Sequence, residues 1–360
     1  RSGVSAGEQI VSFEKIYDGI ESVLRVTVVP DSPVEVRELT ITNRRNVPTV
    51  LTVGVCADVS LARPREEAGH MNFQRLFVSS ELTKDNTTIL VSRPDPRDRN
   101  CSINAGFLLV SSKSLSPFYS VRDRETFWGS PLRRDNPPIL RKPGRAKTDF
   151  PQYTLDTVAG FVTAVTLGPG ETRHLAFVSA VGDSRDNVLN ILKPFKKYKF
   201  VRNIVASADQ TGTLLRRELG ISSAQAETFA ALASLLHARE SYSAPLVRLE
   251  AQPTINALWR CGISGTYPVI ILSVSGVTDL AVIKQMLTCH SYFRRKKIEA
   301  DIIILNNHAG GYLKTFEDEI DFLLRTQNHN NQQADTGRVI HVRAEQFGEV
   351  GCEALLAAST

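Results

Sequence analysis

Val34-Glu35-Val36-Arg37-Glu38-Leu39-Thr40-Ile41-Thr42 is the stretch on which the fold turns. Apolar and polar residues nearly alternate along it, the period of two that sends successive side chains to opposite faces of a strand. One face of such a strand is expected to be packed and the other wet. The same reading repeats outward. Gln9–Tyr17 and Glu21–Pro30 come before it, joined at Asp18-Gly19, and Asn43–Pro48 turns the chain into Thr49–Val55. Further strands are expected near Gln74–Glu81, Thr87–Arg93, Asn104–Ser111, Pro117–Arg122, Val158–Leu167 and His174–Val181. Gly168-Pro169-Gly170-Glu171 is a hairpin-type link between the last two. Many closely spaced strands with no long helix between them predict an antiparallel β-sandwich over residues 1–183.

One segment breaks this pattern. Arg122–Phe150 holds eight basic and four acidic residues, four prolines and two glycines. That composition predicts a long surface excursion rather than a buried strand.

Past Asp183 the period becomes helical, predicting a helical linker over residues 184–255. Ser184 caps a short helix to Leu192, and Lys193–Lys199 is a basic link. Val201–Leu219 is a helix stopped by Gly220. Ser222–Glu240 is another, opened by the capping-box pair Ser222 and Gln225, with Ala226, Phe229, Leu232, Leu235 and Leu236 as its buried face. Residues 256–360 switch again. Pro268–Val274, Ala300–Leu305 and Val339–Arg343 are short buried strands. They alternate with helices over Thr278–Arg294, Leu313–Arg325 and Gly348–Ala358. This β-α-β-α-β-α order calls for right-handed crossovers and a small parallel sheet. The fold class is therefore multidomain, β then α/β.

Composition agrees with a multidomain globular chain. The 360 residues carry 43 Lys+Arg against 38 Asp+Glu, a net charge of +5, and are 42% hydrophobic. Disorder is excluded, and two or three domains are expected. So small a basic excess gives no argument for a nucleic-acid partner. No run of about 18 apolar residues is present, so no bilayer-spanning helix is expected. The first residue is Arg1, and both ends look cut from a longer chain. The five cysteines, Cys56, Cys101, Cys261, Cys289 and Cys352, show no metal-ligand spacing. Free thiols in a reducing compartment are expected, with no metal and no cofactor.

Four chemical readings compete for the polar residues. A nucleotide loop is a poor fit, because Gly262-Ile263-Ser264-Gly265 precedes its strand and Gly310-Gly311 lacks a following Lys-Ser/Thr. Ser264 is in the wrong frame for a nucleophile elbow and reads as turn chemistry. Glu317, Asp318, Glu319 and Asp321 read as a solvated helix face, not a catalytic pair. The fourth reading is a sugar surface. His70, Phe73, Gln74 and Arg75 lie together, as do Phe127 and Trp128. Sugars offer apolar ring faces and many hydroxyls, which aromatics beside Arg, Gln and His can read. The blander alternative puts Phe73, Phe77 and Phe127 in the core and Arg75 in a surface ion pair. His70, Arg75 and Trp128 are the candidate substrate-binding residues, and no catalytic residue can be named.

Several blocks resemble glycoside hydrolase family 94, formerly glycosyltransferase family 36. P-D-S-P-V-E-V-R-E-L-T-I-T-N (Pro30–Asn43) resembles the supersandwich opening of that family. H-M-N-F-Q-R-L-F-V-S-S-E (His70–Glu81) is similar to the His-Pro-Ala-Phe-x-x-Leu-Phe-Val-x-x-Glu segment of cyclic β-1,2-glucan synthases. R-D-R-E-T-F-W-G (Arg122–Gly129) resembles D-R-x-x-F-x-G there. L-W-R-C-G-I-S-G-T-Y-P-V-I-I-L (Leu258–Leu272) resembles the Leu-Trp-x-x-Gly-Ile-Ser-Gly-Asp-Leu-Pro-Ile block, with Thr266-Tyr267 standing where Asp-Leu is expected. D-I-I-I-L-N (Asp301–Asn306) resembles the strand that follows.

The resemblance implies a fragment of a carbohydrate-active enzyme, holding the supersandwich, linker and α/β part. In the family, an (α/α)6 barrel carries the catalytic Asp and the phosphate site, so this piece is expected to be non-catalytic alone. Its implied partners are a β-1,2-glucan or other β-glucan, the barrel of the parent chain, and a second copy in a homodimer. The implied location is the cytoplasmic side, with a parent anchored in the bacterial inner membrane. The other expectation kept open is a scaffold that docks domains without touching sugar.

Overall fold

A computed structural model describes residues 2–7, 9–95, 102–115, 117–129, 136–143, 156–237, 259, 262–264, 266–308, 315–329 and 337–345. The chain divides into two compact units, Arg1–Thr213 and Leu214–Thr360.

The first unit is built on antiparallel strands: β1 (Ser2–Ala6), β2 (Ile10–Tyr17), β3 (Ile20–Val28), β4 (Val34–Asn43), β5 (Thr49–Asp58), β6 (Ser79–Leu82), β7 (Thr88–Pro94), β8 (Ser102–Ser111), β9 (Phe118–Asp123), β10 (Thr157–Leu167) and β11 (Thr172–Gly182). Eight form one sheet in the order β1-β2-β3-β4-β11-β8-β7-β6, and β5-β10-β9 form another. Phe107 and Phe177 of the large sheet pack with Phe161 of the small one, and Ile41 and Leu175 with Val165 and Leu167. This is the expected sandwich.

The opening strand departs from the simple reading. β4 has no fully wet face. Val34 and Val36 pack under the helices α4 (Arg185–Leu192) and α5 (Tyr198–Leu219), against Val188, Leu192, Val201 and Val205. Ile41, with Leu39 beside it, packs on the other face, toward β10. The apolar residues change face at Glu38-Leu39, because helices cover one side of the strand and a sheet covers the other. Gly106 of β8 permits the close approach of α4: a Cβ there would lie 2.5 Å from Val188 Cγ1 and 2.6 Å from Leu192 Cδ1.

Three further differences bear on function. β6 starts only at Ser79, because α1 (Pro64–Arg75) takes up the first part of the segment read as strand. Pro64 in the first turn, with Glu66 and Glu67 beside it, favours a helix start. The edge strand β1 has little apolar alternation and is held by its backbone ladder to β2. The basic excursion is also not wholly superficial. It carries the short helices α2 (Arg124–Trp128) and α3 (Pro138–Arg141), whose Phe127 and Ile139 are buried against Val121 and Val162.

In the second unit, β12 (Val269–Val274), β13 (Asp301–Asn306) and β14 (Val339–Arg343) form a parallel sheet in that order. The helices α7 (Leu280–Arg295) and α8 (Thr315–His329) supply the crossovers. Ile302, Ile303 and Ile304 are all buried, as a strand covered on both faces requires. The helix α6 (Ser223–His237) is opened by the expected reciprocal cap. Gln225 N–H donates to Ser222 Oγ at 3.2 Å, and Ser222 N–H to Gln225 Oε1 at 3.0 Å. On its packed face Ala233 is buried, whereas Leu235 is exposed. The helix expected over Gly348–Ala358 lies outside the described residues.

Candidate functional site

The three nominated residues occupy different settings. His70 is exposed at a kink within α1. Arg75, at the end of the same helix, is buried. Its Nη1 donates to Asp156 Oδ1 at 2.8 Å, and its Nη2 lies 3.9 Å from Glu67. The ion pair in the bland reading is real but buried.

Asp156 carries the connection onward. Its second oxygen is 2.7 Å from Arg124 Nε, and Arg124 Nη2 is 2.8 Å from Asp58 Oδ1. Burial opposes the Arg124 charge, but hydrogen bonds to Asp156 and Asp58 outweigh it and hold the guanidinium pKa up. Asp123 caps α2, its carboxylate accepting from Thr126 N–H at 2.8 Å and from the Thr126 hydroxyl at 2.9 Å. One carboxylate thus ties α1 to α2, which ends in Trp128. Arg124 entered the sequence reading only as part of the D-R-x-x-F-x-G resemblance, with no role attached, and Asp156 was not singled out. A further local signal was Asp123 three residues before Thr126.

Trp128 is half-buried and works partly as structure. It packs edge-on against Phe127, with ring centroids 5.1 Å apart, and its indole N–H donates to the Cys56 sulfur. Burial, then the nearby Asp58, pushes the Cys56 thiol up to about 12, so it is no nucleophile at neutral pH. Cys56 and Cys289 are free thiols, and the other three cysteines lie outside the described residues.

The aromatics divide between the two readings. Phe127 is 2% exposed and belongs to the core. Phe73 and Phe77 are 56% and 46% exposed. They meet edge-on at 5.1 Å, next to exposed Met71 and Leu76. Gln74 is tied down from below, accepting from Arg93 of β7. The end of α1 thus combines a buried polar underside with an open aromatic top carrying His70 nearby.

The other chemical readings resolve into local structure. In the second unit, the first βα turn is closed by its own chain. Asp279 accepts from the N–H of Ser275 at 2.7 Å and of Gly276 at 3.3 Å, filling the place a phosphate would take. Gly310-Gly311 lies outside the described residues. Ser264 Oγ accepts from Thr266 N–H at 3.1 Å, as turn chemistry predicts. The acids of α8 are not all solvated: Glu317 pairs with Arg343, and Asp321 lies 3.0 Å from His341 Nδ1. Among the described residues, no group of three His, Cys, Asp or Glu is placed to hold a metal, and no helix is long and apolar enough to cross a membrane.

Comparison with known proteins supplies the wider setting. Residues 3–198 match the family described as Glycosyl hydrolase 94, supersandwich domain. The cyclic beta-(1,2)-glucan synthase NdvB of Rhizobium meliloti (strain 1021) is 22% identical over 321 residues, covering 88% of this chain. The chain spans only 11% of that relative's length. Among solved structures, a bacterial glucoamylase complexed with acarbose has a TM-score of 0.34 at 8% identity, covering 64% of this chain and 31% of its own. Heparinase III has a TM-score of 0.28 at 11% identity, covering 52% of this chain and 22% of its own.

Proposed function

Since the chain belongs to the glycosyl hydrolase 94 supersandwich family, we propose that it is the non-catalytic, glucan-contacting portion of a cyclic β-1,2-glucan synthase or a β-1,2-oligoglucan phosphorylase. The open pair Phe73–Phe77, with exposed His70 three residues before it in the chain, is the observation that carries this reading. Exposed aromatic edges and faces suit the C–H faces of a sugar ring, and the imidazole suits its hydroxyls. The Arg75–Asp156–Arg124 network holds α1 and α2 in place, and half-buried Trp128 at the end of α2 is a further aromatic available to a sugar. In this reading the glucan is cut or extended by the barrel of the parent chain, on the cytoplasmic side of a bacterial inner membrane.

Met71 and Leu76 favour a second reading. With Phe73 and Phe77 they make an apolar patch, which also suits docking of another domain or a second copy without sugar contact. Calorimetric titration of the chain with linear and cyclic β-1,2-glucans, with cello-oligosaccharides as control, separates the two. Saturable binding of the β-1,2 series, weakened about tenfold by Phe73→Ala, supports glucan contact. A folded chain that binds none of them at millimolar concentration refutes it and favours the scaffold. Phe73→Ala is a cleaner probe than Trp128→Ala, because Trp128 also packs on the core.

A further inference from the structure

A groove of about 570 Å³ opens elsewhere in the first unit. Its walls are β8 from Leu108 to Ser111, the following residues Ser112–Leu115, Phe118 of β9, Thr87 before β7, and Lys196 after α4. The volume is within the range of about 300–1,000 Å³ usual for small-molecule sites. None of the α1 or α2 residues discussed above lines it.

The lining sorts ligands by chemistry. Both cations in the wall are already neutralised: Lys113 Nζ lies 2.7 Å from Glu171, which Arg173 also approaches at 3.6 Å, and Lys196 Nζ lies 2.6 Å from Asp85. Hydrogen bonding from Lys113, then from the Gly168 amide, holds the Glu171 carboxyl at about 2, so that pair persists at neutral pH. An anion would have to compete with two carboxylates. A neutral polyol would not. Four hydroxyls, Thr87, Ser111, Ser112 and Ser114, line the groove. The Ser111 hydroxyl donates to the His174 carbonyl at 2.9 Å and accepts from the Lys113 N–H at 3.5 Å, leaving one acceptor lone pair toward a ligand. Leu109, Leu115 and Phe118, each partly exposed, provide apolar surface beside these hydroxyls. Hydroxyls interleaved with apolar and aromatic surface, beside lysines already paired with carboxylates, complement a ring that is polar at its rim and apolar on its faces.

We propose that this groove is a separate subsite for a neutral oligosaccharide. It is independent of the α1 surface, and either can fail without the other. The test is titration of the full chain with a neutral β-linked gluco-oligosaccharide and, in parallel, with inorganic phosphate. Ser114→Trp fills the groove from an exposed position, and Phe73→Ala removes the α1 aromatic. The expected result is saturable oligosaccharide binding that Ser114→Trp weakens by about tenfold or more, the scale of one lost hydrogen bond with its contacts. That component survives Phe73→Ala, and phosphate does not bind in the groove. Amide exchange of Ser111–Leu115 in the unaltered chain, slowed by the sugar, gives the same answer without a variant. Binding abolished by Phe73→Ala alone, preference for phosphate, or unchanged exchange at Ser111–Leu115 under saturating sugar overturns the proposal.

Discussion

Replacing Asp156 by alanine tests whether the buried network organises the candidate surface. Asp156 bridges Arg75 at 2.8 Å and Arg124 at 2.7 Å. Its loss leaves Arg75 with Glu67 at 3.9 Å, whereas Arg124 keeps Asp58 at 2.8 Å. Stranding one charge of a fully buried pair costs about 3–5 kcal/mol, and an exposed pair is worth about 0–1. The Arg75 side chain is only 10% exposed, but that of Asp156 is 35% exposed, so water screens part of the interaction. We therefore expect Asp156→Ala to destabilise the first unit by about 2–3 kcal/mol, with a melting temperature lower by about 5–10 °C for a unit of this size. Urea unfolding followed by circular dichroism measures the change. Its attribution needs the cycle with Arg75→Ala, where a coupling of about 1–2 kcal/mol is expected for residues in direct contact. A loss under about 0.5 kcal/mol, or additive single and double variants, would refute the network as the link between α1 and α2.

Other consequences follow from burial. Gly160→Ala would put a Cβ 2.8 Å from Phe127 Cδ2 and 3.2 Å from the Val121 carbonyl; a loss of about 1–3 kcal/mol in urea unfolding, with faster proteolysis near α2, is expected. In the second unit, burial and then Arg294 lower the His290 pKa from 6.5 to about 4. Its folded value lies below its unfolded one, so the stability it supports is complete above about pH 6.5 and is lost as pH falls toward 4. The loss is about 3 kcal/mol, and pH-dependent unfolding should flatten over that window in His290→Leu. Cys56 and Cys289, both pushed up to about 12 mainly by burial, should resist alkylation at pH 8 until the chain unfolds, as read by peptide mass mapping.

The legible parts of the fold were those in which one physical demand acts on a whole element. Ile302–Ile304 are apolar in succession because helices and chain cover both faces of their strand, so length and composition suffice to read them. Ser222 with Gln225 announces a helix start because the cap is local. α1 was not legible. Met71 and Phe73 on it, and Leu76 and Phe77 in the turn just after it, are exposed, so no polar-out, apolar-in period marks it. β4 was legible as a strand but not as a doubly covered one, since the cover on Val34 and Val36 comes from helices more than 150 residues later.

The same distinction governs the candidate surface. Sequence proximity grouped His70, Phe73, Gln74 and Arg75, yet the fold turns them to opposite sides: Gln74 and Arg75 inward, Phe73 and His70 outward. The inward members answer to partners far along the chain, Arg93 and Asp156, and long-range partners leave no local pattern to read. Burying charged groups while exposing aromatic ones runs against the usual direction of the hydrophobic effect. The buried charges are compensated by carboxylates, whereas among the described residues the rings of Phe73 and Phe77 stay exposed. That asymmetry makes the outer face of α1, rather than Arg75 itself, the place at which to look for a ligand, and it assigns Arg75 to holding that face in position.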